Sequence, residues 1–203
     1  RASIHKNVRF MIPMITSMRE IILFKELIDD CKKDLAKQNL PFDRSMKIGI
    51  MIEVPSAAVL AKEFAEEVDF LSIGTNDLIQ YLLAVDRGND IVASSYQEFH
   101  PAVVRTLKHI IAEGKKSGAE VSLCGEMAAD ILAVPLLVGL GLDSISVSAS
   151  AIPHAKKIIR SFSFAEVKKL ADECLQMKTE HEINVRLKNF MDSHQSRETQ
   201  NLF

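Results

Sequence analysis

The chain has 203 residues, with 25 Lys and Arg against 27 Asp and Glu, 47% hydrophobic and 26% charged residues. This balance excludes a disordered or collagen-like chain and leaves no broad basic face of the kind that binds nucleic acid. The longest apolar stretch, residues 131–142, is interrupted by Pro135, Gly139 and Gly141 and falls short of the ~20 residues that cross a bilayer.

Five short apolar runs, 8–14, 48–52, 70–73, 121–123 and 145–147, alternate with longer amphipathic stretches. Near-continuous apolar strands predict burial on both faces, and strand–helix alternation predicts an α/β fold with a parallel sheet. Ser17 is placed to cap a helix whose inner face carries Ile21, Ile22, Phe24, Leu27 and Ile28. Further helices are predicted over 55–66, 129–138, 153–160, 164–177 and 180–191. Pro101 suits the first turn of another that carries Val103, Val104, Leu107, Ile110 and Ile111 and ends at Lys115, Lys116 and Gly118. The paired lysines on these helices read as solvated faces. Cys31, Cys124 and Cys174 are odd in number and widely spaced, which points to reduced thiols in a cytoplasmic protein. No signal-peptide pattern precedes the first run, and a chain that enters a strand so early reads as the later part of something longer.

Parallel α/β folds keep their chemistry at the carboxyl ends of the strands, and each run ends in polar or turn residues. Glu53 follows the second run directly; Asn76 and Asp77 follow the third. Two carboxylates on neighbouring strand ends can approach one hard cation such as magnesium, which typically takes one or two carboxylates, or can simply begin loops. Arg87 suits a phosphate through its two-pronged fork; pairing with Asp86 or Asp90 is the alternative. Cys124 ends the fourth run beside Gly125 and Glu126, either as a small core residue or as a protonated thiol able to donate. His100 precedes Pro101 and can cap that helix. Cys31 and Cys174 lie within helical patterns and read as structural. The stretch Gly139–Ser144 lacks the last glycine of a dinucleotide fingerprint and precedes a strand, so it is set aside.

Three segments carry a resemblance to a known family. The run DFLSIGTNDLIQYLLAVDR (69–87) resembles the signature of the phosphoenolpyruvate-utilising enzymes, and MIEVP (51–55) and LCGEMA (123–128) resemble two further blocks of that family, in order and at family spacing. The variants AVDRGND (84–90) and CGEMA (124–128) are nearer to enzyme I of the bacterial phosphotransferase system than to pyruvate phosphate dikinase or phosphoenolpyruvate synthase, and HPAV (100–103) with SLC (122–124) leans toward its nitrogen-branch form. The resemblance covers residues 3–190.

This likeness implies a (β/α)8 barrel, of which residues 1–160 would supply about strands 4–8. Helices over 161–193 would pack on the barrel and a polar tail over 194–203 would follow. It implies Glu53 and Asp77 as magnesium ligands, Asn76, Asp77 and Arg87 as substrate-binding groups, and Cys124 as the acid that protonates the product. The implied reaction moves the phosphoryl group of phosphoenolpyruvate to a histidine on a separate swivelling domain and on to a phosphocarrier protein, releasing pyruvate. No histidine here has the Gly-Gly-x-Thr-Ser-His-like setting of that acceptor. The first three strands, with their substrate-binding arginines, are expected upstream of Arg1, and the chain by itself is expected to be inactive. A homodimer through this domain is also implied, with no nucleic-acid or membrane partner. The corresponding part of a dikinase or synthase, and a non-catalytic dimerisation module, are the competing readings.

Overall fold

A computed structural model of the chain describes residues 1–200, with side chains as far as His194. Residues 201–203, the end of the expected polar tail, lie outside the described part. The strands are β1 (Phe10–Ile12), β2 (Ile48–Ile52), β3 (Phe70–Gly74), β4 (Glu120–Cys124) and β5 (Ser144–Ile145). All pair in parallel, in the order β1-β2-β3-β4-β5. Helix α1 (Met18–Lys37) follows β1; α2 (Pro55–Val59) and α3 (Ala61–Ala65) follow β2; α4 (Thr75–Leu83) and α5 (Pro101–Lys116) follow β3. Helix α6 (Ala133–Leu140) follows β4, and α7 (Ile152–Arg160), α8 (Phe164–Cys174) and α9 (Glu180–Gln200) follow β5. Consecutive strands that stay adjacent, each leading into helix, define the winding of a (β/α)8 barrel; a doubly wound sheet would reverse its strand order. The chain carries five such units.

The register sorts the side chains into two faces. Ile50, Leu71 and Val121 lie side by side, as do Ile52, Ile73 and Leu123, and all six are sealed from solvent in one cluster with Phe64, Val104, Leu107 and Ile111 of the helices. Fully burying a side chain of this size contributes about 1.5–3 kcal/mol, so this helix-covered face dominates stability. Helix α5 reaches it closely because residue 114 is glycine: a Cβ there would press on Val121 and Leu71. Gly139 does the same for α6 on α8, where a Cβ would collide with the Val167 carbonyl.

The opposite face carries Met51, Ser72 and Ser122 side by side, with Gly74 beside Cys124 one step further along the strands. Here Arg9 Nη1 donates to Glu120 Oε2 at 2.7 Å and lies over the Phe70 ring. Arg9 precedes β1 and Glu120 starts β4. Three strand spacings of about 4.8 Å would hold such a pair near the limit of reach on a flat sheet. At 2.7 Å the pair joins the two ends of a four-strand span on this face. Two aspartates secure the start of the sheet. Asp69 and Asp143, each just before a strand, accept the N–H of Ile48 and Val121 on the preceding strand, at 2.8 and 2.9 Å.

Ser17 and Glu20 form a capping box at the head of α1, Glu20 Oε2 taking the N–H of Thr16 and Ser17 at 2.8 and 2.9 Å. The expected inner face of α1 is largely on the surface. Only Ile21 is buried; Ile22 is exposed and Leu27 is 60% exposed. This helix lies beside β1, which has a strand on one side only among the described residues, so most of its apolar stripe overhangs the sheet. The two terminal strands are also shorter than their apolar runs, having one ladder each. The helix expected over 55–66 is divided at Leu60, and that expected over 129–138 begins at Ala133 after a 3₁₀ turn, Glu126–Ala129. At α5, His100 Nδ1 accepts the Ala102 N–H at 3.1 Å, which is the capping role.

Candidate functional site

The carboxyl ends of β2, β3 and β4 converge on one cluster. Glu53 leaves β2 buried, the residue being 4% exposed. Its Oε1 accepts the N–H of Met14 at 2.7 Å, and Met14 holds a left-handed backbone, φ +54°, a conformation uncommon outside glycine. Burial raises the Glu53 pKa above the ordinary carboxylate value, the Met14 N–H opposes this, and the charge and hydrogen-bonding proximity of Asp77 raise it further. Two carboxylates facing each other in a poorly solvated corner form a donor set that a divalent cation would stabilise. Among the described residues no group of three or more His, Cys, Asp or Glu could hold a metal; a pair of carboxylates suits magnesium, which takes one or two and keeps water and substrate oxygens for the rest.

Gly74 is what leaves the site open. A Cβ on it would touch the Met51 sulfur at 2.8 Å and Glu53 Oε2 at 3.0 Å. Cys124 is its partner across the ladder. The bare backbone at 74 therefore separates the Glu53 carboxylate from the Cys124 thiol without filling the space between them. Cys124 is partly exposed and free, with the Ser72 hydroxyl 3.9 Å from its sulfur. Its carbonyl accepts from Thr75 Oγ1 at 2.9 Å, which joins the ends of β3 and β4.

Asn76 sits in the first turn of α4, and its Oδ1 accepts the N–H of Glu126 at 3.0 Å. That bond requires glycine at 125, where φ is +108° and a Cβ would collide with Thr75 Oγ1 and lie 2.8 Å from Asn76 Oδ1. Because Oδ1 is the acceptor, the two amide N–H groups of Asn76 are the ones left for a ligand. Arg87 pairs with neither Asp86 nor Asp90. Its Nη1 donates to Glu126 Oε1 at 2.9 Å, while Asp86 Oδ1 accepts from Gly88 N–H at 2.8 Å. The loop carrying Arg87 is anchored by the Arg87 N–H on Gln80 Oε1 at 3.3 Å.

Thus Glu53 and Asp77 come together, Asn76 and Arg87 are joined through Glu126, and Cys124 stands at the end of β4 beside Gly74. Four participants carried no assigned role in the sequence: Met14, Gly74, Glu126 and Tyr96. The Tyr96 hydroxyl is buried with no hydrogen-bond partner among the described residues. Burial drives its pKa to about 12, with Glu98, Glu126 and Asp77 raising it and Arg87 lowering it. Gly74 and Glu126 lie in the 69–87 and LCGEMA segments, so their positions were marked without a role, and Met14 closes the first apolar run; nothing local marked Tyr96.

The geometry defines an α/β barrel-type domain that gathers two carboxylates, a guanidinium, an amide and a thiol at the carboxyl ends of its strands. A family model described as the PEP-binding domain of PEP-utilising enzymes matches residues 1–164, and the chain belongs to that family. It is 44% identical over 191 residues to the phosphoenolpyruvate-protein phosphotransferase of Haemophilus influenzae, covering 94% of this chain and 33% of that protein. The corresponding Listeria monocytogenes protein is 45% identical over 183 residues, covering 90% and 32%. Multiphosphoryl transfer protein 2 of Escherichia coli is 42% identical over 195 residues, covering 96% and 23%. The chain spans about a third of the length of the phosphotransferases it matches. A citrate lyase from Burkholderia xenovorans shares the fold with a TM-score of 0.58 at 14% identity, over 91% of this chain and 64% of that one. No helix among the described residues is long and apolar enough to cross a membrane.

Proposed function

We propose that this chain is the phosphoenolpyruvate-binding part of a phosphotransferase that passes the phosphoryl group to a histidine on a separate domain and then to a phosphocarrier protein, leaving pyruvate. The observation that carries this reading is the buried Glu53 carboxylate held beside Asp77 at adjoining strand ends. When bound there, magnesium would offset the charge of the phosphoryl and enolate oxygens. Asn76 would donate its amide N–H groups to the phosphate, and Arg87 would meet the same group with a charge-assisted fork. Transfer breaks the bond between phosphorus and the enol oxygen and forms one to the acceptor nitrogen; the electron pair remains on the substrate as pyruvate enolate. Cys124 would give its S–H proton to the methylene carbon, forming pyruvate, and recover a proton from water. A homodimer and a cytoplasmic setting complete the proposal.

The reading is tested in the full protein that carries these residues. Calorimetry should show magnesium-dependent binding of phosphoenolpyruvate that Glu53→Ala or Asp77→Ala removes; unchanged metal-dependent binding in both variants refutes the assignment. Cys124→Ala should slow pyruvate formation far more than it weakens binding, and equal losses would exclude it as the acid.

A further inference from the structure

The proposed reading leaves Glu126 without a task, yet it touches both groups assigned to the phosphate. Its backbone N–H binds Asn76 Oδ1 and its carboxylate binds Arg87 Nη1. We propose that Glu126 is a positioning residue whose carboxylate occupies the Arg87 guanidinium in the ligand-free site and is displaced by the phosphoryl group of the substrate. This inference rests on the phosphoenolpyruvate reading and deepens it.

Three observations support it. First, the chemistry matches: a guanidinium fork accepts a carboxylate or a phosphate in the same geometry, so the Glu126 carboxylate can stand where a phosphoryl oxygen would bind. Second, the contact is easy to break. The Arg87 and Glu126 side chains are 41% and 71% exposed, and an ion pair so open to water is weak. A dianionic phosphoryl group that also meets the Asn76 amide can replace it. Third, the polar network around the pair lacks an acceptor. The buried Tyr96 hydroxyl has no partner among the described residues, and the charges of Glu98 first, then Arg87, Glu126 and Asp77, act on it. A shielded donor without an acceptor is unfavourable, so the ligand-free arrangement is one that an incoming oxyanion, or the released carboxylate, would complete. Glu126 meanwhile holds the guanidinium at 2.9 Å, while Asp86 on the same loop is engaged by the Gly88 N–H.

The test is Glu126→Gln in the full protein, a change that keeps the backbone N–H to Asn76. Removing the competing carboxylate should tighten phosphoenolpyruvate binding about two- to fivefold, the scale of an exposed ion pair. Oxalate supplies carboxylate oxygens to a metal but has no phosphoryl group, and its magnesium-dependent affinity should not change. Unchanged or weaker phosphoenolpyruvate binding overturns the proposal. So does an equal gain for both ligands, which would mark a general effect of lost negative charge. In either case the assigned site stands if Arg87→Ala still weakens phosphoenolpyruvate binding. Failure of the unsubstituted protein to bind phosphoenolpyruvate removes the function and this inference together.

Discussion

Glu98→Gln should remove a pH-dependent loss of stability that the native chain suffers between pH 5 and 8. Glu98 lies in the loop between α4 and α5, where burial first, and then the negative charges of Asp130 and Glu126, push its carboxyl from 4.5 to about 7. At 1.36 kcal/mol per pH unit that rise amounts to ~3 kcal/mol for a group sealed from water; Glu98 is only partly buried, and screening reduces it to ~1–2 kcal/mol. In the unfolded chain Glu98 gives up its proton near the ordinary carboxylate value; in the folded chain it holds on until about pH 7. Across that window the folded state binds more protons, so this contribution is complete below about pH 4.5 and falls away as pH rises through 7. Glutamine keeps the shape and cannot ionise. Urea unfolding should therefore give nearly equal stabilities for variant and wild type at pH 5, and an advantage of ~1–2 kcal/mol to the variant at pH 8, with the same dependence on urea. A difference that does not grow with pH would refute the reasoning.

Gly125→Ala should cost ~1–3 kcal/mol of stability, since φ +108° is open to glycine alone and the new methyl group would collide with Thr75 Oγ1. It should also weaken phosphoenolpyruvate binding, because it breaks the bond from Glu126 to Asn76; thermal unfolding and calorimetry measure the two effects. Tyr96→Phe removes a buried hydroxyl that has no partner among the described residues. Stability of the ligand-free protein should be unchanged or rise by up to ~1 kcal/mol, and a loss larger than that on chemical denaturation would show that the hydroxyl is bonded.

The parts of the fold that could be read in advance are those with a local cause. The apolar runs of β2, β3 and β4 mark strands buried on the helix side, and Ser17 with Glu20, and Pro101 with His100, mark helix starts whose capping bonds are present. Asp69 and Asp143 show a repeated device with no local signal, since what they bind is on the preceding strand, 21 and 22 residues earlier. The stripe of α1 misled because periodicity reports that a helix has an apolar face without reporting what lies opposite. Glu53, Asn76, Asp77, Arg87 and Cys124 were marked by position and motif. Their connections were not: the Arg87–Glu126 pair spans 39 residues, as does the bond from Met14 to Glu53. Such contacts follow from strand order and register, which no single segment encodes.

If the proposed magnesium site forms, the bond between Met14 and Glu53 would bear on its ion selectivity. One oxygen of Glu53 is held on the β1 side of the site by the Met14 N–H, in a carboxylate already shut away from water, and Oε2 is the one nearest Gly74. A cation bound there under the proposed reading would meet Glu53 most readily through Oε2, since Oε1 already holds one N–H. Calcium, with its six to eight ligands and its readiness to take a carboxylate through both oxygens, would be poorly served, whereas the compact octahedron of magnesium needs a single oxygen from each acid. The left-handed turn at Met14 would thus discriminate between cations from one strand away, without touching either.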